Sequence, residues 1–420
     1  MIGLTFAYLR DRAGTTVLNM LLLALAVASL VLLLIVSTQL GSRLERDAQG
    51  IDLVVGAKGS PLQLILSSIY HLDQPTGNIP LSSIETLRAN RAVARVVPLA
   101  LGDNFRGYRI VGTEPEWLDI YAARIAQGRV FAKSGEAVIG TDVVRTTGAA
   151  IGQRFLGSHG AGEDGGEHAG HPFTVTGILA PTGTVADRLI LTPVESVWDV
   201  HGIAHAAHDE GTGAHHSDHA DDNHDHSDEA AAPDNPHAMD PEVTALLVTY
   251  RSAFGAVSVP GFINRQTEMQ AAVPAVETGR LLSLFGAGVE GARLFAWLLA
   301  GTGGLAIFVA LLNAARAREG DLALLRVMGA TPVQVFGTIV LEGVLTALAG
   351  ALVGIAAAHG IIAIAVDRFR ALAEIGIDPL RFDPAELGIL TAVLAIGASA
   401  ALVPALRVFR IDLATTLSRN

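Results

Sequence analysis

Four stretches of the chain contain no charged residue and are long enough to cross a bilayer. They run from Ala13 to Ser42 (30 residues), Leu294 to Ala315 (22), Gly343 to Val366 (24) and Leu387 to Leu406 (20). A hydrocarbon core about 30 Å thick needs about 20 helical residues, so each stretch predicts a transmembrane helix. The first has Arg10 and Arg12 ahead of it and an Ala26-Val27-Ala28 triplet that mimics a signal-peptide cleavage site. Its apolar run continues through "SLVLLLIVSTQL", past the roughly 7–15 residues of a signal h-region, which predicts an uncleaved helix.

Between the first and second runs the periodicity changes. "IDLVVGA" and "VARVVPLAL" read as buried strands. "YRIVGT", "EAVIGT" and "FTVTGILA" are short apolar runs closed by Gly, Thr or Pro and also read as strands, as does "VTALLVTY". "PLQLILSSIYHL" and "SSIETLRAN" have helical spacing, the second with Ser82 or Ser83 as its expected cap and Glu85 in its first turn. "AVPAVETGRLLSLFGAGVEGARLF" predicts a helix feeding the second span. The fold class is therefore an α-helical membrane protein with four spans, one plus three, and a large extracytoplasmic mixed α/β domain between the first and second.

The expected boundaries are a cytoplasmic N-terminus at 1–16, spans at 17–40, 292–314, 336–366 and 386–406, and the outer domain at 41–291. A cytoplasmic loop occupies 315–335, an extracytoplasmic loop 367–385 and a cytoplasmic C-terminus 407–420. The orientation comes from the basic residues of the short flanks. Arg10, Arg12, Arg316, Arg318, Arg326, Arg407, Arg410 and Arg419 fall on one side, against Arg368, Arg370 and Arg381 on the other.

Composition agrees with a membrane protein: 50% of residues are apolar and 17% charged. The net charge of −12 is concentrated in one window, Asp199 to Asp240, which holds eleven Asp and Glu and no Lys or Arg. No basic patch points to nucleic acid. There is no cysteine, so no disulfide framework and no thiolate metal site exists.

Two polar insertions interrupt the outer domain, at 157–172 and 201–240. Neither has enough apolar surface to offset chain entropy, so both are expected to be mobile loops. The second carries nine of the chain's fourteen histidines. His201, His205 and His208 follow H-x-x-x-H-x-x-H, which shares one face if helical, and His215, His216, His219, His224 and His226 lie among aspartates. Neutral imidazole with carboxylate oxygens suits zinc, nickel or copper(II) better than calcium. The irregular spacing argues against a closed structural zinc site and for a weak collector with several sites. The other reading is a solvated acidic linker whose histidines titrate near pH 6–7.

Other chemistry is sparse. "VGAKGSP" (55–61) does not match the phosphate-binding G-x-x-x-x-G-K-[ST] loop, so ATP hydrolysis by this chain is not expected. Gly56 and Gly59 are expected to shape a turn there. No nucleophile–base constellation is visible, and the chain is expected to be non-catalytic. His71, near Asp73, is a hydrogen-bonded structural histidine or, on the sharper reading, a titrating or metal-binding one. The run Gly343–Val366 spans about 36 Å on its own, which places Glu342 at the cytoplasmic interface as part of a coupling apparatus. His359 falls inside the bilayer and is expected to bond a neighbouring helix. Gly343, Ala347, Gly350 and Gly354 form a small-residue stripe for close helix approach, either within the chain or across a dimer.

The cytoplasmic loop "NAARAREGDLALLRVMGATPVQVFGTIVLEG" predicts a short amphipathic helix with Leu322, Leu325 and Met328 on one face, stopped at Gly329. "REGDLALLRVMGATPVQV…LEG" and the closing "VPALRVFRIDLATTLS" resemble the signatures of MacB/FtsX-like permeases of type VII ABC transporters. "DLVVGAKGSPLQLILSSIYHLDQPTGNIPL" is similar to the start of a MacB-type periplasmic domain. The resemblance implies that Glu319, Leu322, Leu325, Arg326, Gly329 and Ala330 form a coupling helix docking on a separate ATPase, which would hold the ATP and Mg2+. It further implies a homodimer in the lipid of a bacterial inner membrane, passing a stroke to its outer domains to export or extract a substrate such as a periplasmic cargo or metal-binding protein. An FtsX-like transmitter controlling a periplasmic hydrolase and a lipoprotein-releasing permease are the alternatives. The family pattern leaves the two His-rich insertions unexplained.

Overall fold

The computed structural model describes residues 13–158, 171–201, 241–317, 326–369 and 376–407, with Ala7 and Arg10. The chain divides into two compact units, one of residues 1–42 and 281–420, the other of residues 43–280.

The chain enters by α1 (Ala13–Ala48) and continues through β1 (Leu53–Ala57), α2 (Pro61–Ser68), β2 (Ile79–Pro80), α3 (Ser82–Arg88), β3 (Val93–Phe105) and β4 (Tyr108–Thr113). Next come α4 (Trp117–Ile120), β5 (Ile125–Gly128), β6 (Glu136–Ile139), α5 (Thr141–Thr147), β7 (Arg154–Phe155) and β8 (Phe173–Leu179). A 3-10 turn (Val185–Arg188) leads to β9 (Ile190–Pro193) and α6 (Val194–His201). The remainder is β10 (Glu242–Val243), β11 (Ala245–Tyr250), α7 (Ala253–Gln266), β12 (Met269–Ala272), α8 (Pro274–Ala317), α9 (Pro332–Arg368) and α10 (Ala385–Arg407).

The unit of residues 43–280 is built on one sheet in the order β12-β1-β11-β3-β4-β9-β6-β8-β5, with β7 on β8, beside a two-stranded β10-β2 ribbon. The period-2 signal is cleanest in β8, where Phe173, Val175 and Leu179 are buried on the face of Gly177, and Thr174, Thr176 and Ile178 alternate with them half-buried. Burying each such side chain contributes roughly 1.5–3 kcal/mol. Tyr108, Ile110, Ile139, Phe173, Val175 and Ile190 form one core. Leu53, Val55, Leu87, Val96, Leu246 and Val248 form a second with Trp198 of α6 and Ile263 of α7.

Two local expectations are corrected. The α3 N-cap is Leu81, in helical conformation and without a side-chain cap bond, rather than Ser82 or Ser83. Gly56 lies inside β1, paired on both sides, instead of in a turn. A Cβ there would stand 2.5 Å from Leu64 Cδ1, so the glycine lets α2 pack on the strand. Gly59 does sit in the bend that follows.

Four helices are long and apolar enough to cross a membrane, Ala13–Ala48, Pro274–Arg316, Pro332–Arg368 and Ala385–Leu406, and all but the end of the first and the start of the second belong to the other unit. Their contact face is made by small residues. A Cβ on Gly350 would meet Leu23 and the Met20 carbonyl at 3.0 Å, and one on Gly354 would meet the Ala24 carbonyl at 2.6 Å. A Cβ on Gly343 would meet Ala401 at 2.8 Å and the Gly397 carbonyl at 3.0 Å. All three glycines of the stripe therefore face α1 or α10 of their own chain. Dispersion gained by such close backbone approach is the main force between helices in lipid. Gly354→Leu is expected to cost about 1–3 kcal/mol by overpacking, read as a lower thermal midpoint of the detergent-solubilised chain. The control Gly360→Leu, where a Cβ meets nothing within 4 Å, should leave the midpoint unchanged.

Candidate functional site

The end of α1 and the start of α8 both belong to the unit of residues 43–280. Between them lies a buried polar joint. It begins with α2, which starts sharply because Ser60 Oγ accepts from Gln63 N and Pro61 fills the first turn. The helix ends at Ile69, which delivers Tyr70 into the interior, 1% exposed.

The Tyr70 hydroxyl lies 3.2 Å from the Leu44 carbonyl of α1 and 2.6 Å from Thr278 Oγ1 of α8. A carbonyl only accepts and a phenol has one proton. Tyr70 thus donates to Leu44 and accepts from Thr278. One oxygen joins the two helices across 233 residues of intervening sequence, between Leu44 and Thr278.

Asp47, also on α1 and 1% exposed, completes the joint. Its Oδ1 accepts from Val185 N at 2.7 Å. Arg188 and Arg43 stand 3.9 Å from Oδ2, and Tyr121 donates to the Asp47 carbonyl at 3.1 Å. Arg188 also donates to the Tyr70 carbonyl at 2.9 Å, linking the two halves. The turn presenting Val185 is held by Asp187, whose carboxylate accepts from Thr182 N and Gly183 N at 2.8 and 2.7 Å. Burial raises the pKa of both phenols, with the Asp47 charge adding to the effect, so Tyr70 and Tyr121 remain donors at neutral pH.

His71 follows directly, with left-handed backbone at φ 54°. It is 8% exposed, and neither ring nitrogen has a hydrogen-bond partner among the described residues. That corrects the expectation of a hydrogen-bonded histidine. Burial first, then the neighbouring Arg109 and Arg188 charges, push its pKa down to about 3, so the ring is neutral in the folded protein.

In the membrane unit, His359 bonds the neighbouring hairpin as expected. Its Nδ1 lies 2.6 Å from the Pro379 carbonyl and its Nε2 3.1 Å from Glu386 Oε2. Since the carbonyl only accepts, Nδ1 carries a proton and donates it. The Nε2–Oε2 bond then shares one further proton between imidazole and carboxyl. Glu386 Oε1 accepts from Asp383 N at 2.9 Å, and Asp383 Oδ1 from Ala385 N at 2.9 Å, which caps the start of α10.

Glu319, Leu322 and Leu325 lie outside the described residues. Arg326 and Val327 are helical, and the turn after them ends at Gly329, whose φ of 104° would strain an L side chain. Ala330 follows, and Thr331 with Gln334 forms a capping box that starts α9 at Pro332. Val327, Met328 and Val333 beside this stop are 62%, 76% and 67% exposed. Glu342 stands level with the start of α1 and the end of α8, beside Thr15 and Ala314. It is only 9% exposed, ten residues into α9, beside Thr15, Asn19 and Thr346 in a small polar gap between helices.

Among the predicted metal ligands, His201 ends α6, while His205, His208, His215, His216, His219, His224 and His226 lie outside the described residues. Among the described residues no group of three or more His, Asp or Glu is arranged to hold a metal. The flanks of the 201–240 segment are tied together, because Trp198 Nε1 of α6 donates to the Glu242 carbonyl of β10 at 2.7 Å. The Asp47–Tyr70–Thr278 joint is absent from the sequence reading. No motif marks it, since its members meet only when the sheet is assembled.

Residues 16–215 match the MacB-like periplasmic core domain, and residues 293–413 match the FtsX-like permease C-terminal region. No curated protein matches the chain. Among solved structures it is similar to the periplasmic region of MacB from Actinobacillus actinomycetemcomitans, at 11% identity and a TM-score of 0.33 over 55% of this chain and 94% of that one. It is also similar to the extracellular domain of the noncanonic ABC-type transporter YknZ from Gram-positive bacteria, at 13% identity and a TM-score of 0.30 over 53% of this chain and 98% of that one. With a MacB-like core domain in its first half, an FtsX-like region at its end and four helices fit to cross a membrane, this chain is a multi-pass MacB/FtsX-like ABC transporter permease.

Proposed function

We propose that the chain is the non-catalytic permease of a type VII ABC transporter of a bacterial inner membrane. It works as a homodimer and turns ATP hydrolysis by a partner ATPase into movement of the outer domain, for export or extraction of a substrate. The observation that carries this reading is the apolar surface formed by Val327, Met328 and Val333 at the Gly329 stop. Exposed apolar side chains together on a positively flanked loop suit a protein partner. The ATPase docks there and on the adjoining Leu322 and Leu325. Tyr70 and Asp47 then carry the displacement of α1 and α8 into the sheet.

Replacement of Leu325 by aspartate together with Gly329 by valine is expected to abolish co-purification of the ATPase from detergent extracts. An intact complex would overturn the docking assignment. Zinc on the 201–240 segment is the specialised part of the proposal, with the metal as regulator or as a feature of the cargo. Calorimetric titration of zinc into the full chain should show several weak sites that vanish when 201–240 is replaced by a Gly/Ser linker. Equal binding to both chains would remove zinc from the mechanism.

A further inference from the structure

A groove on the unit of residues 43–280 belongs to no part of this mechanism. It encloses about 860 Å³ and is lined from α3, the β3–β4 pair and the β9–α6 junction. Its floor is apolar: Ile84, Phe131, Val194 and Trp198 line it at 4–6% exposure, held in place by the core behind them. Its rim is acidic. Glu85 of α3 and Glu195 of α6 both line the groove and are exposed. Neither has a cation within ion-pair distance among the described residues. The one basic residue of the lining, Arg88, is engaged, because its Nη2 lies 3.0 and 2.9 Å from the two oxygens of Glu114.

A site of this volume is within the range of about 300–1,000 Å³ that encloses an organic ligand. A bare cation has no use for the apolar floor, and an anion meets two unpaired carboxylates. The carboxylates stand on different helices, so the matching ligand presents two separate positive charges on an apolar frame. The chain's own 201–240 segment has the wrong charge, with no Lys or Arg in it. We propose that this groove binds a cationic peptide segment, its basic side chains on Glu85 and Glu195 and its apolar ones against Trp198 and Phe131. The proposal stands whether or not the chain transports what it binds.

The test uses the full chain in non-ionic detergent and a fluorescein-labelled peptide of alternating lysine and leucine, followed by anisotropy. A glutamate/leucine peptide serves as the acidic counterpart. The lysine peptide is expected to bind, the glutamate peptide to bind at least about tenfold more weakly, and E85K/E195K to weaken the lysine peptide about tenfold. E45K/E268K makes the same charge change at exposed sites outside the groove and should retain wild-type affinity. Unchanged binding by E85K/E195K, or an equal loss in E45K/E268K, would overturn the assignment and leave only adsorption to the micelle or to net charge.

Discussion

Asp47→Ala is expected to destabilise the outer domain by about 3 kcal/mol, the low end of what removing one partner of a buried charge group costs. The carboxylate is 1% exposed and serves the Val185 amide at 2.7 Å, with Arg188 and Arg43 at 3.9 Å. Alanine leaves that amide and part of the guanidinium charge buried without an acceptor. For a domain of this size the thermal midpoint falls by roughly 6–12 °C. Asp47→Asn keeps an oxygen for Val185 and removes only the charge, so it should fall about half as far. If both variants melt together with the wild type, the joint is not a stabilising element. The coupled complex provides a second readout. A loosened joint should leave ATP hydrolysis intact while reducing the outer-domain movement reported by a fluorophore on an exposed loop residue such as Ser134.

The second large effect is on acid stability. The His71 pKa is about 3 in the folded chain and about 6.5 when exposed. Between these values the unfolded state binds a proton that the folded state refuses. Stability therefore falls as the pH drops through this window and is fully retained above about pH 6.5. The slope from this one group approaches about 1.4 kcal/mol per pH unit. Going from pH 7 to pH 5 thus costs roughly 2 kcal/mol, a midpoint loss of about 4–8 °C for a domain of this size. His71→Asn accepts the left-handed backbone at this position and carries no charge at any pH. The variant should lose less stability than the wild type over the same interval by about that amount. Parallel pH profiles would show that His71 is already protonated or solvated in the native protein. Because His71 adjoins Tyr70, the same acidification should weaken the joint between α1 and α8.

Much of the architecture was legible one segment at a time. Charge-free runs located all four membrane helices, because the bilayer tests length and polarity directly. "YRIVGT" became β4 over Tyr108–Thr113, and "FTVTGILA" became β8. The Gly329 stop and the Pro332 start were equally local, set by a positive φ and a capping box. The failures occurred where a local motif competed with packing. Two serines offered to cap α3, but the chain enters the helix one residue earlier, at Leu81. Gly56 reads as a turn residue, yet serves a close approach to Leu64.

By itself, then, the sequence determined the one-plus-three membrane plan, the strand and helix content of the outer domain, the acidic His-rich segment and the permease family. Each of these is written in residues close together in the chain. Tertiary structure alone decided the Tyr70–Leu44–Thr278 joint, the buried neutral state of His71 and the His359–Glu386 bond. It also assigned the small-residue stripe to helices of the same chain. Hydrogen bonds and charges act over a few ångströms, and only the assembled sheet and bundle bring residues as far apart as 44 and 278, or 24 and 354, within that range.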